Sequence, residues 1–213
     1  MRFLNFLNLL GSKGIFSPGT GPPLLEDLFA DHPGFRLTQG NTEVYRPFRT
    51  REPHLVSIVD ELPKSQLLLA DVLVLHWGGA AIGAASFALQ ANPQKRERRR
   101  RYARIDLVIV PPGFRGVGVG KLLLLAVVTH LLRAHGPSLY SISCLAAHPA
   151  VGDVLEGCGF AATPRDHLHY VHEELKLADP EAERLAMEVS DRIRPVLQIV
   201  QFRLRQRAKD PAP

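Results

Sequence analysis

Apolar and polar residues alternate along the chain in stretches that predict strands and helices, after a start with little periodicity. Residues 1–40 are rich in glycine and proline, which predicts an irregular N-terminal arm with one short helix in PLLEDLFADH. The segment 42–49 alternates as a strand does, and residues 51–65 place apolar side chains at helical intervals. Two apolar runs around Gly78 and Gly79, DVLVLHW and AAIGAASFALQ, predict an antiparallel hairpin.

The second half of the chain continues with strands separated by helices. RIDLVIV at 104–110 is rich in β-branched residues and predicts a strand, and the apolar stretch at 120–134 predicts a long helix. SLYSISCLA predicts a further strand, HPAVGDVLEGCGF a short helix that begins at Pro149, and DHLHYVHEEL a last strand. Together these elements predict an α/β fold.

The residues after Pro180 predict a C-terminal helix. Its apolar side chains lie near one stripe, at Leu185, Val189, Ile193, Val196 and Val200. Pro195 predicts a kink within the helix because proline cannot donate the backbone hydrogen bond of that turn. We expect this helix to dock on the rest of the chain or on a partner subunit, which makes a homodimer one possible assembly, rather than to lie on an anionic membrane with its basic end.

Composition narrows the class of protein. The chain has 46% hydrophobic residues, enough for a core of ordinary size, and a formal net charge of +5. Positive residues concentrate at 95–104 and 203–209, which favours an anionic partner, but few aromatic residues accompany them and nucleic acid is not favoured. No run of eighteen apolar residues predicts a transmembrane segment, and no secretory signal is expected. With only two cysteines, we expect a cytoplasmic protein.

A glycine-rich loop joins a predicted strand to the long helix. Gly116, Gly118 and Gly120 leave successive backbone N–H groups unshielded at the positive end of a helix dipole, which predicts an anion-binding loop. A P-loop would need a glycine in place of Arg115 and a hydroxyl in place of Leu122, and a dinucleotide-binding loop would need the spacing GxGxxG. Neither of these phosphate-binding motifs fits.

The sequence RGVGVG and the order of elements around it resemble the GCN5-related N-acetyltransferase (GNAT) family. The resemblance covers residues 41–177, between the N-terminal arm at 1–40 and a C-terminal helical extension at 178–213. It implies a mixed, mostly antiparallel central sheet flanked by helices, and a loop that binds the pyrophosphate of acetyl-CoA, the co-substrate. It also implies that the backbone of the preceding strand contacts the pantetheine arm. The cofactor-binding residues are then Val108, Ile109, Val110, Arg115, Gly116, Val117, Gly118, Val119 and Gly120, and Lys121 would add positive charge nearby.

The candidates for catalysis are fewer. The family often uses a carboxylate on the strand before the loop as a base, and Asp106 is the one acidic residue there. Strand alternation predicts that Asp106 shares a face with Val108 and Val110, and an ion pair at the rim with the nearby arginines is its alternative role. Leu155 stands where the family often has a tyrosine near the CoA sulfur, and Leu155 cannot donate a proton. His148 is a candidate substitute for that acid, or a helix cap.

We therefore expect an N-acetyltransferase that moves the acetyl group of acetyl-CoA to a primary amine of a small molecule or a protein, by direct attack in a ternary complex. The alternative is a catalytically weak acyl-CoA-binding module that recruits an anionic partner through the Arg-rich loop at 95–104. The histidines of HLHYVH lack a third ligand at a fitting distance, so we expect no metal. The sequence carries no motif that identifies the acceptor amine.

Overall fold

The computed structural model describes residues 23–40, 71–91, 101–146, 149–163, 171–176 and 181–209. The strands in these segments are β1 (Pro23–Leu24), β2 (Phe35–Gly40), β3 (Asp71–Trp77), β4 (Ala80–Ala91), β5 (Arg101–Ile109), β6 (Leu139–Ala146), β7 (Ala161–Thr163) and β8 (Val171–Lys176). The helices are α1 (Glu26–Phe29), α2 (Val119–His135), α3 (Pro149–Gly157) and α4 (Glu181–Lys209), with short 3-10 turns at Pro112–Phe114 and Gly136–Ser138.

The strands of the described segments form one eight-stranded sheet in the order β1-β2-β3-β4-β5-β6-β8-β7. Neighbouring strands run antiparallel except β5 and β6, which run parallel. The parallel pair is possible because α2 returns the chain from the end of β5 to the start of β6. The predicted mixed, mostly antiparallel sheet flanked by helices is confirmed.

Most predicted elements of the described segments are present. β3 and β4 form the predicted hairpin, and its two turn residues, Gly78 and Gly79, have φ values of 57° and 85°. β5, α2, β6, α3 and α4 also confirm the predicted order, and β8 forms the last part of the predicted final strand. The strand predicted at 42–49 and the helix predicted at 51–65 lie outside the described residues.

Residues 35–40 differ from the predicted irregular arm. They form β2, which pairs antiparallel with β3 over its whole length. Phe35 and Leu37 are buried while Arg36 between them is exposed, so a short strand alternation is present that the surrounding glycines and prolines obscured. The sheet therefore begins before residue 41, and the predicted short helix near the N-terminus is present as α1.

α2 is apolar on nearly all sides because it lies between the sheet and α4. Its residues 122–129 are all buried. On the sheet side, Leu123 approaches β4 closely, and a Cβ atom added at Gly83 would lie 3.3 Å from Leu123 Cδ2. Among the described residues, this is the one helix whose length and composition would suit a membrane span, and here it is the central helix of the core.

α4 covers α2 with a continuous apolar stripe. The buried residues of this stripe are Ala186, Val189, Ile193, Leu197, Val200 and Leu204. The prediction placed Leu185 and Val196 on the stripe, but both are only partly buried, because the stripe passes through the residues that follow them. Pro195 lies inside the helix on its exposed side, and the helix continues to Lys209.

α4 runs antiparallel to α2. A Cβ atom at Gly136, just after α2, would lie 2.8 Å from the Cβ atom of Ala182 near the start of α4. At the other end, a Cβ atom at Gly118, just before α2, would lie 3.1 Å from Val200 Cγ2. The C-terminal turns of α4 therefore lie beside the glycine loop.

Side-chain hydrogen bonds connect the N-terminal segment to both helices. Arg133 Nη1 donates to Asp27 Oδ1 at 2.8 Å, and Arg133 Nη2 donates to Ser190 Oγ at 3.1 Å. His32 Nδ1 and Gln201 Oε1 lie 2.9 Å apart. The predicted docking of the C-terminal helix on the rest of the chain is thus confirmed by polar as well as apolar contacts.

Candidate active site

β5 and β6 separate next to the glycine loop. Their parallel pairing extends from Arg101 and Leu139 to Ile105 and Cys144. Beyond that point β5 pairs only with β4 among the described strands, while β6 continues alongside β8. Backbone N–H and C=O groups of residues 106–109 that point away from β4 therefore face a gap between the two strands. A ligand with amide groups can form hydrogen bonds to them there.

The pairing of β4 with β5 shifts its register at Asp106. Phe87 lies opposite Ile105 and the adjacent Ser86 lies opposite Leu107, so Asp106 is an extra residue in β5. This bulge changes which face the following residues occupy. Ile105 belongs to the main core cluster, whereas Leu107 belongs to the smaller cluster on the other face of the sheet.

The bulge contradicts the prediction that Asp106 shares a face with Val108 and Val110. Both valines pack against the main core cluster. Asp106 instead lies on the opposite face with Arg104, whose Nε donates a hydrogen bond to Asp106 Oδ1. The prediction failed because strict alternation of side chains holds only where a strand has no extra residue.

Asp106 is a buried carboxylate, not a residue at the rim. Its side chain is only 3% exposed. The predicted ion pair with an arginine is present, since Asp106 pairs with Arg104. Burial raises the pKa of Asp106, and the hydrogen bond and positive charge of Arg104 act in the opposite direction. A carboxylate whose pKa is raised in this way is a better proton acceptor once it is deprotonated.

The glycine loop enters α2 without a capping side chain. Gly116 and Gly118 have φ values of 76° and 100°. Gly118 is the N-cap residue of α2, and no side chain there accepts a hydrogen bond from the first backbone N–H groups of the helix. Arg115 Nε donates to the carbonyl oxygen of Val110 at 2.9 Å, which holds the loop against the end of the strand. Because the first amides of a helix have no acceptor within it, this end of α2 is suited to an anion.

The other predicted loop residues divide between the core and the surface. Val117 and Val119 are 3% and 1% exposed, so their side chains anchor the loop and only their backbone is available to a ligand. Lys121 is exposed in the first turn of α2, and that turn contains no acidic residue. A cation there opposes the helix dipole, but it attracts an anion bound at the helix start.

Gly116 and Gly118, the two loop glycines with positive φ, are oriented so that a Cβ atom on either one would point toward α4. The added Cβ atom of Gly118 would approach Val200, and that of Gly116 would lie 3.6 Å from Arg207 Nη2. The backbone conformation therefore favours glycine at both positions, and helix packing adds a second reason at Gly118 only, whatever the loop binds. Sequence reasoning missed this contact because an apolar stripe predicts that a helix docks, but not where.

Comparison with known families decides the class of the protein. The model of the acetyltransferase (GNAT) family matches residues 34–160, more than half of the 213-residue chain. The chain belongs to the GNAT family. The match includes β5, the glycine loop, α2 and β6, and α4 lies outside it. As a GNAT protein, it is an acyltransferase.

Solved structures resemble the GNAT protein at low sequence identity. An uncharacterized protein from Bacillus halodurans has a TM-score of 0.51 and 11% identity, covering 75% of this chain and 91% of its own. A putative acetyltransferase from Salmonella typhimurium, solved with acetyl-CoA, has a TM-score of 0.47 and 16% identity, with coverages of 68% and 95%. An aminoglycoside N(6')-acetyltransferase from Legionella pneumophila has a TM-score of 0.46 and 11% identity, covering 73% of this chain and 96% of its own. A comparison with curated protein sequences found no match.

Leu155 of the GNAT protein is a core residue. It is fully buried in α3, and its carbonyl oxygen accepts hydrogen bonds from the backbone N–H groups of Cys158 and Phe160 at 2.8 and 3.1 Å. It therefore helps to end α3 and offers no proton to a ligand. Burial also raises the pKa of the Cys158 thiol, so this cysteine is not an activated nucleophile.

Several predicted residues lie outside the described segments. His148 is one of them, as are residues 95–100 of the Arg-rich loop and the histidines at 167 and 169. Residues 101–104, which were predicted to belong to that loop, instead form the first part of β5, where Arg101 is exposed. Within the described segments, no group of three or more His, Cys, Asp or Glu residues could hold a metal ion.

Proposed function

We propose that this GNAT protein binds acetyl-CoA in the gap between β5 and β6 and transfers the acetyl group to a primary amine. The separation of the two strands beyond Ile105 and Cys144, directly before the glycine loop, carries the proposal. It leaves backbone groups of residues 106–109 available to the amides of the pantetheine arm. The uncapped start of α2 then receives the pyrophosphate.

Acetyl transfer requires a neutral amine and a polarised thioester. The amine nitrogen attacks the thioester carbonyl carbon, the C–S bond breaks, and coenzyme A leaves as a thiol once its sulfur has taken a proton. We assign the amine proton to Asp106, directly or through one water molecule, because this carboxylate is buried at the point where the strands separate. Leu155 has no proton to give, so in this proposal the thiolate takes its proton from water or from another side chain.

Two measurements on the unmodified protein test the proposal. We expect calorimetry to show acetyl-CoA binding, and a thiol-release assay over a panel of primary amines to show release that depends on an amine. Binding without amine-dependent release would favour the alternative acyl-CoA-binding module. Absence of binding would contradict the proposal.

The role of Asp106 is tested by Asp106→Asn, which preserves shape but removes the proton acceptor. We expect kcat to fall by about 100-fold or more, with acetyl-CoA affinity close to that of the unmodified protein. Because burial raises the pKa of Asp106, turnover of the unmodified protein should fall as the pH drops through that raised pKa, at a higher pH than for an ordinary carboxyl. The variant should lack this acidic limb when the same amine is used.

The matched control is Asp191→Asn, since Asp191 is an exposed carboxylate on α4. It should leave turnover and the pH profile unchanged. If Asp106→Asn turns over normally with the same profile, Asp106 is not the base. Deprotonation would then depend on water or on His148, and His148→Ala in the same assay would decide between them.

A further inference from the structure

The side chain of Arg207 reaches from the last turns of α4 across the glycine loop. Its Nη1 donates to the carbonyl oxygen of Gly113 at 3.0 Å. Its Nη2 lies 3.6 Å from the position that a Cβ atom of Gly116 would occupy. Arg207 is exposed to solvent and lies outside the residues that match the family model, 34–160. An element additional to the family domain thus places a guanidinium on the predicted anion-binding loop.

Charge is unevenly distributed between the ends of the α2–α4 pair. The segment RLRQRAK at 203–209 carries four cations at the end of α4 that lies beside the loop. On the α2 side, the first turn has no acidic residue and carries Lys121. The two helices therefore concentrate positive charge where the backbone amides of the loop are uncapped.

We propose that Arg207 is a phosphate-binding residue that contacts the pyrophosphate of acetyl-CoA held by the glycine loop. This inference rests on the proposed function. A guanidinium has five N–H donors, and the bond to Gly113 uses one of them. Its planar fork matches the oxygens of a phosphate, and a hydrogen bond between two charged groups is stronger than one between neutral groups. Arg207 Nη2 lies beside Gly116, one of the residues whose backbone amides are expected to hold the pyrophosphate, so the guanidinium is next to the proposed anion site.

If the role of Arg207 were purely structural, its substitution would have different effects on stability and on ligand binding. The bond to Gly113 needs only a neutral donor, and a residue that served only as this latch would affect the stability of the fold and the binding of every ligand alike. A phosphate-binding residue instead discriminates between ligands that carry the phosphate and ligands that lack it.

The test compares Arg207→Gln with Arg205→Gln. Arg205 is exposed on the same helix, and two residues turn the helix by about 200°, so Arg205 points away from the loop. Both substitutions remove one positive charge. The probes are acetyl-CoA, acetyl-dephospho-CoA, which lacks the 3′-phosphate, and acetyl-pantetheine, which lacks all phosphates.

We expect Arg207→Gln to weaken acetyl-CoA binding by about tenfold in calorimetry, with a larger loss at low salt than at high salt. The same loss is expected with acetyl-dephospho-CoA. With acetyl-pantetheine, kcat/KM should match that of the unmodified protein. Arg205→Gln should bind all three ligands as the unmodified protein does.

Three results would overturn the assignment. Equal affinities of the Arg207 and Arg205 variants would show that Arg207 does not contact the ligand. A loss that disappears with acetyl-dephospho-CoA would move the contact to the 3′-phosphate. A fall in kcat/KM with acetyl-pantetheine, together with a lower melting temperature, would make Arg207 a latch. If the unmodified protein itself does not bind acetyl-CoA, the proposed function fails first, and this is seen before any variant is compared.

Discussion

Both ends of α2 contact α4 at a glycine, but the two ends differ in how their backbone groups are capped. At each end a glycine allows α4 to approach, Gly118 against Val200 and Gly136 against Ala182. The C-terminal end is closed by its own backbone, since Gly136 N–H bonds to the carbonyl of Leu132 and a 3-10 turn follows. The N-terminal end has no side-chain cap.

This difference in capping separates glycines that serve helix packing from glycines that indicate a ligand-binding site. A glycine that touches a neighbouring helix is explained by packing alone, and this explanation applies to both ends. Only the N-terminal end combines positive φ, uncapped amides and a cation in the first turn, at Gly118 and Lys121. We therefore expect substitutions at the two ends to separate stability from ligand binding.

The largest effect is expected from Gly118→Ala, because it combines a strained backbone with a close contact. An alanine at φ 100° is disfavoured, and its Cβ atom would lie 3.1 Å from Val200. We expect a loss of about 2–4 kcal/mol in the free energy of unfolding, measured with urea. Acetyl-CoA affinity should fall at least about tenfold, or about 1.4 kcal/mol.

The second substitution Val200→Ala should restore only part of the stability lost in Gly118→Ala. It removes the close contact, but φ remains positive. Full recovery of stability relative to Val200→Ala alone would mean that packing, not backbone conformation, accounts for this glycine. Recovery of acetyl-CoA affinity would argue against the loop as the pyrophosphate site.

A smaller effect is expected from Gly136→Ala, where only packing is at stake. The backbone of Gly136 is in the ordinary helical region, but its Cβ atom would lie 2.8 Å from that of Ala182. We expect the free energy of unfolding to fall by about 1–3 kcal/mol, with unchanged acetyl-CoA affinity. Adding Ala182→Gly should recover most of the loss relative to Ala182→Gly alone. A change in affinity would show that the two ends of α2 are not independent.

Lys121→Gln should have a modest effect of opposite sign on stability and binding. The cation opposes the dipole at the start of α2, so its removal should leave the melting temperature unchanged or slightly higher. Without it, acetyl-CoA should bind about 2–5 times more weakly at low salt, corresponding to about 0.4–1 kcal/mol. Parallel losses of stability and affinity would contradict this account of Lys121.

The smallest effect is expected from Gly120→Ala, which serves as the control for the loop. A Cβ atom there would make an ordinary contact, 3.6 Å from Val110 Cγ2. Stability should change by less than about 0.5 kcal/mol. Alanine keeps the backbone N–H through which residue 120 is expected to bind the pyrophosphate, so acetyl-CoA affinity should fall less than in Gly118→Ala, and a larger loss would show that the added methyl group meets the ligand.

The sequence was sufficient to predict most of the fold because its patterns are local. The hairpin around Gly78 and Gly79, the strand before the loop and the uniformly apolar α2 each depend on neighbours a few residues away. The glycine loop was also predictable, since its spacing is local and glycine permits the positive φ that Gly118 adopts. β2 was missed because a six-residue strand between glycines has little pattern to distinguish it.

The parts that could not be predicted depend on contacts between distant residues. The bulge at Asp106 arises from the register of β5 against β4, and no local pattern marks it, so the face of Asp106 was assigned wrongly. The position of Arg207 depends on how far α4 extends along α2. Periodicity revealed the apolar stripe of α4 but misplaced Leu185 and Val196, because it does not determine the rotation of a helix against its partner.

The antiparallel pairing of α4 with α2 also affects the order of events during protein synthesis. The apolar outer side of α2 is translated well before Val189, Ile193 and Val200, which cover it. At about 5–20 residues per second, that surface waits several seconds for its partner helix. We therefore expect chaperones to bind this exposed apolar face of the nascent chain during the interval. A chain that ends before α4, through a premature stop codon after residue 177, never completes its core and becomes a substrate for proteolytic quality control.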